Sequence, residues 1–183
     1  MDHPDSDAIS IATRLAVDQL LASLDGERLY AICLQTDDGA MSIGLCANTE
    51  EGYLEKRAEA DAVRELTASY DAYLRWNSAE WRHEMIDTEC FDQIEKDLWN
   101  ALDDPPGGFE VYFDGLIEAM TLALIDAKEA FGERLAAVTA FVTVTDSDET
   151  VEIENASAAR INSPEIAAAF LARYDWVDGA PDG

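Results

Sequence analysis

Val17, Leu20, Leu21 and Leu24 recur at three-and-four spacing behind the polar Asp5-Ser6-Asp7. That period predicts a capped helix to about Asp25, stopped by Gly26. From Arg28 the pattern changes. Leu29 to Thr36 is a largely apolar run, Asp37-Asp38-Gly39-Ala40 follows, and a second apolar run extends from Met41 to Ala47. Asp-Gly between two such runs predicts a β-hairpin. Asn48-Thr49-Glu50-Glu51-Gly52 then offers a cap with acids in the first turn, and Leu54, Ala58, Ala62 and Leu66 step by four. This predicts a second helix to about Ser69.

Between Tyr70 and Ile86 four aromatic residues stand among charges around a turn-like Asn77-Ser78-Ala79, which reads as two short strands. Phe91, Ile94, Leu98 and Leu102 predict a third helix, broken by Asp103-Asp104-Pro105-Pro106-Gly107-Gly108. The most regular stripe follows, from Phe113 through Ile117, Met120, Leu124 and Ala127 to Phe131, with Gly132 as its C-cap. Ala137 to Thr145 alternates as a strand with both faces partly covered. Glu149 to Arg160 reads as a short helix. Ser163-Pro164-Glu165 opens a last one, carrying Ile166, Phe170 and Tyr174, and Asp178 to Gly183 should fray. The order does not alternate as a doubly wound fold would. It predicts one α+β domain over residues 1–183, ordered from about 6 to 177, with an antiparallel sheet of three to five strands packed with about five to six helices.

Charge changes the picture most. Twelve Lys and Arg oppose 39 Asp and Glu among 183 residues, a formal net charge of −27. Such a field repels nucleic-acid phosphates and the anionic face of a membrane, and it attracts basic proteins. Nucleic acid and membrane are therefore excluded as partners. The acid is spread along the chain, and only three lysines, Lys56, Lys96 and Lys128, are present. Two readings stand: salt adaptation of the whole surface, or an acidic face for a basic partner. The first ten residues hold neither a basic nor an apolar signal region, so a cytoplasmic chain is expected. Cys33, Cys46 and Cys90 form no CxxC pair. They are expected as small buried thiols, the first two on neighbouring strands.

Few strings suggest a reaction. Asp146-Ser147-Asp148-Glu149-Thr150 matches the DxDxT nucleophile signature of haloacid-dehalogenase-like phosphatases, but it lies late in the chain and no Lys follows it. His83-Glu84 begins an HExxH zinc motif, yet position 87 is Asp, and the other histidine is His3. No GxSxG, Walker or GxGxxG string occurs. The expectation is a protein with no catalytic residues, no metal site and no cofactor. The residues singled out for binding are the acidic hairpin tip, Asp37 and Asp38, and the aromatic cluster with its charges, Arg75, Trp76, Glu80 and Trp81. The competing reading of Trp76 and Trp81 is that they roof one edge of the core.

Several strings together resemble a family. Tyr30 to Leu34, Thr36-Asp37-Asp38-Gly39, Ala47-Asn48-Thr49-Glu50-Glu51-Gly52, Arg75-Trp76-Asn77-Ser78-Ala79-Glu80-Trp81, Asp146-Ser147-Asp148 and Ile161-Asn162-Ser163-Pro164 look like the bacterial family of domain of unknown function 4303, over roughly Leu15 to Tyr174. Many relatives would place Pro where this chain has Ser78. The family has no agreed activity. Many members look like neighbours of toxin and immunity genes, so the resemblance implies an immunity-type inhibitor of a toxin domain, acting on a protein partner. The alternative is an uncharacterised cytoplasmic enzyme or structural domain whose acidity reflects salt adaptation.

Overall fold

A computed structural model describes residues 4–86 and 88–174 of the chain. The fraying expected of the tail, and the positions His3 and Asp87 of the zinc-motif reading, lie outside these residues. Among the described residues the order is α1 (Ser6–Ser23), β1 (Leu29–Asp37), β2 (Gly44–Thr49), α2 (Glu50–Asp61), α3 (Ala68–Trp76), β3 (His83–Ile86), α4 (Asp92–Ala101), α5 (Phe109–Phe131), β4 (Thr139–Thr145), α6 (Thr150–Ile161) and α7 (Pro164–Leu171). The α+β class holds, with seven α-helices rather than five or six. No described helix is long and apolar enough to cross a membrane.

The sheet runs β3-β2-β1-β4. It is not all antiparallel, as expected from the sequence. β1 pairs antiparallel with β2, and β2 with β3, but β1 and β4 run parallel, Ala31 opposite Thr139 and Asp37 opposite Thr145. Burial of β1 and β4 on both faces is what a parallel pair covered on each side requires. One face, with Ile32, Leu34, Leu45, Ala140 and Val142, meets α1, α4 and α5. The other, with Ala31, Cys33, Cys46 and Phe141, lies under Tyr53, Leu74, Trp81, Ala158 and Phe170. Cys33 and Cys46 stand directly opposite each other in this second layer, both fully buried, and burial pushes the Cys33 thiol up.

Three segments depart from the sequence reading for local reasons. The second helix ends at Asp61, with Ala62 at its C-cap, because its inward face is Tyr53 and Ala60 rather than the four-residue stripe: Leu54 is 53% exposed, and Leu66 reaches the core from beyond the helix end. The supposed first strand after Tyr70 is instead α3, whose N-cap Thr67 side chain accepts from the Tyr70 N–H. In α3 the Tyr70 and Tyr73 rings stack at 5.7 Å, and Ala72 and Leu74 turn inward. Aromatic strand propensity here yields to a capped helical period. The β1–β2 connection is wider than a two-residue turn. The Asp37 carboxylate collects the Gly39 and Met41 N–H groups and the Ser42 hydroxyl, which keeps Met41–Ile43 out of the strand, and Ala40 sits buried at φ 54°.

Among the described residues no fifth strand lies at the outer edge of β4. Side chains of α6 and its C-cap take its place: Asn162 serves Ala140, Ser157 serves Val142, and the Thr150 hydroxyl lies 2.7 Å from the Val144 carbonyl. An edge that would otherwise expose unpaired backbone is thereby closed.

Candidate functional site

The Ala47–Gly52 and Arg75–Trp81 segments face each other across the second layer. Thr49 caps α2 by accepting from the Gly52 N–H at 3.0 Å, and its hydroxyl reaches Glu27 at 2.6 Å. The fully buried Asn48 donates to the Tyr30 hydroxyl at 3.1 Å and accepts from the Thr49 N–H at 3.0 Å. Glycine is required at position 52, since a Cβ there would stand 2.6 Å from Asn48 Oδ1.

Arg75, in the last turn of α3, meets Glu50, in the first turn of α2, through a two-pronged pair at 3.1 and 2.7 Å. Each charge sits at the helix end that favours its sign. The guanidinium holds the Glu50 carboxyl below its ordinary value. It also covers the Tyr30 ring at 4.2 Å and Tyr53 at 4.9 Å. The Arg75 carbonyl accepts from both Tyr30 Oη at 2.5 Å and Trp81 Nε1 at 3.0 Å. Burial pushes the Tyr30 phenol up.

Of the residues singled out from the sequence, Arg75, Trp76, Glu80 and Trp81 are thus brought together. Trp81 is 5% exposed and packs edge-on against Tyr30 and Phe141, so it belongs to the core. Trp76 is half-buried, its ring 5.1 Å from Phe170. Glu80 pairs with Lys56 at 2.9 Å and accepts from the Tyr73 hydroxyl at 3.2 Å. Asp37 is consumed by its own turn. Asp38 is exposed, its N–H bonded to the Thr145 carbonyl at 3.1 Å.

The sequence reading missed a polar cleft of about 350 Å³ at the carboxyl end of β4, where Trp76, Ser78, Thr143, Asp146, Glu154 and Tyr174 converge. Asp146 adopts φ 63° at the strand end, and Thr150 of the DxDxT string lies 2.7 Å from both the Val144 and Ser147 carbonyls, which makes that string a strand-to-helix connector. Glu154 is buried, accepts from Thr143 at 2.7 Å and pairs with the buried Arg173 at 2.7 Å. Burial nevertheless raises the Glu154 carboxyl, outweighing both partners. The Ser78 hydroxyl donates to Gln35 at 2.7 Å behind the cleft. Hydroxyls and the Asp146 and Glu154 carboxylates line the cleft beside Trp76 and Val151, and among the described residues no cation does, a lining that repels a phosphate. Glu154, inside a helix of no unusual composition, carries no sequence signal that separates it from a solvated acid. Among the described residues no group of three His, Cys, Asp or Glu is arranged to hold a metal.

The chain is an α+β protein whose mixed sheet carries the Asn48 and Arg75 segments on one face. The family described as domain of unknown function (DUF4303) matches residues 9–163, and the protein is a member of it. That span runs from α1 through the Ser163 cap of α7 and takes in both segments and the cleft strand. No curated protein and no solved structure matches the chain.

Proposed function

We propose that this protein works by binding a basic protein, as an immunity-type inhibitor of a toxin domain. The observation that carries the reading is how the cations are used. Arg14, Arg28, Lys56, Arg57, Arg75, Arg82, Arg160 and Arg173 each hold a carboxylate of the same chain. With 12 cations against 39 acids, this leaves the outward field to unpaired carboxylates. Such a field speeds encounter with a basic partner and suppresses acidic ones. The Arg75 cluster serves as scaffold: Trp81 faces inward, so contact is left to the exposed acids of the surface.

The test identifies the product of the adjacent gene and, where it carries a basic C-terminal toxin domain, co-expresses that domain with this protein. Protection from toxicity together with a complex on gel filtration is the expected result. Absence of both protection and complex would sink the reading. The second reading, salt adaptation, is favoured by the even spread of acid along the chain, and the melting experiment in the Discussion separates the two.

A further inference from the structure

We infer that the groove between α5 and α6 is a docking site for a basic, amphipathic helical segment of a protein partner; this rests on the basic-partner reading above and says where contact falls. The groove encloses about 310 Å³. Its floor is mostly apolar, and the hydroxyls of the buried Thr121 and Ser157 there are taken up within the chain by the Ile117 carbonyl and the Val142 N–H. Phe113 and Ile117 from α5 and Ile153 from α6 each pack one side against the core and leave the other facing the groove. The exposed Phe109 ring stacks on Phe113 at 5.8 Å and carries the apolar strip beyond the groove's end.

The rim has one sign. Asp114 and Glu118 stand on the α5 side, Glu149 and Glu152 on the α6 side, all exposed. The one cation among the lining residues, Arg160, is already clamped by Glu118 through two bonds at 2.5 and 2.7 Å. Asp114, Glu149 and Glu152 therefore remain uncompensated around an apolar floor. A wholly polar basic chain would leave that floor wet, and an apolar chain would leave the rim without counter-charges. A helix with apolar residues at i, i+3, i+4 and i+7 and Lys or Arg beside them satisfies both. An acidic membrane surface is repelled by the same rim.

The probe is a synthetic helix of about 16 residues, Leu on one face and Lys on the rest, with a scrambled peptide of identical composition as control. Binding is read by titration calorimetry, and amide shifts locate it. The expected result is binding of the patterned peptide with shifts at Phe113, Ile117 and Ile153. Glu149→Lys with Glu152→Lys should weaken it about tenfold, and Ala156→Trp, at an exposed lining position, should block the floor. Both variants should melt near the parent temperature. Equal binding of the scrambled peptide, shifts centred elsewhere, or full affinity in the variants overturns the proposal. So does a concentration-dependent dimer dissolved by Ala156→Trp, which would assign the groove to a second copy. A toxin-domain complex that forms undiminished with both variants refutes the groove while leaving the basic-partner reading intact.

Discussion

The side chain of Asn162 stands beside Ala140 as a strand residue would. Its amide donates to the Ala140 carbonyl at 2.7 Å and its Oδ1 accepts from the Ala140 N–H at 2.9 Å. The same amide reaches the Ala158 carbonyl, and Lys128 Nζ donates to Oδ1 at 3.0 Å, so every donor and acceptor of this side chain is used. Asn162→Ala leaves a buried N–H and carbonyl unpaired and should cost at least about 2 kcal/mol. Urea melts check it. Ser157→Ala, with one comparable bond to the Val142 N–H at 2.9 Å, should cost less.

Trp81 belongs to the buried core. Trp81→Ala should cost about 3–5 kcal/mol by emptying the space between Tyr30 and Phe141. Trp81→Phe keeps most of the volume and forfeits the bond to the Arg75 carbonyl, about 1 kcal/mol. If both variants melt like the parent, Trp81 is not a core residue.

Glu154 and Arg173 form a buried pair, and removing one partner strands the other. Arg173 also lies over the Phe170 ring at 3.8 Å. Glu154→Leu or Arg173→Met alone should cost about 3–5 kcal/mol, whereas the double variant should come close to the parent. Strictly additive losses in a double-mutant cycle would contradict the pairing.

His83 gives the chain a pH dependence with a definite sign. Its Nε2 is buried without a hydrogen-bond partner, and burial lowers its pKa below the ordinary 6.5. Glu27 opposes that shift and Arg82 reinforces it. The unfolded chain then binds a proton that the folded chain refuses. The contribution is fully present above 6.5 and declines as pH falls from 6.5 to the lower folded value. Melting temperature should drop in that window less for His83→Gln than for the parent. Parallel curves would show that His83 titrates normally.

With a net charge of −27, self-repulsion should be relieved by screening, so melting temperature should rise with KCl and level off above roughly 0.3 M, where the Debye length has shrunk to a few ångströms. A rise that continues to molar salt favours salt adaptation over a dedicated acidic face. A flat or falling curve refutes the repulsion.

Helices whose apolar stripe meets a matching surface were legible in the sequence. Asp5 caps α1 by accepting from the Ala8 N–H, Ser163-Pro164 opens α7, and the Phe113-to-Phe131 stripe is α5. Local spacing suffices for such elements. The direction of β4 was not legible, because its alternating pattern suits a neighbour running either way, and α5 and its packing decide. Tyr70 to Trp76 was misread because aromatic residues suit both a strand and a half-buried helix, and Thr67 was the signal passed over. The cluster around Arg75 was found by composition alone. That Trp81 would face inward depends on Tyr30 and Phe141, which lie far away in sequence.

The parallel pairing of β1 with β4 joins Ala31 to Thr139, about a hundred residues apart in the chain. During synthesis β1 and β2 leave the ribosome long before the strand that completes their sheet. Until α5 and β4 have emerged, the side of β1 that will receive β4 stands open, and it is a place where two nascent chains can join wrongly. The slow step of folding should therefore be closure of this long loop. Like charge along the chain also keeps unfinished chains apart while they wait.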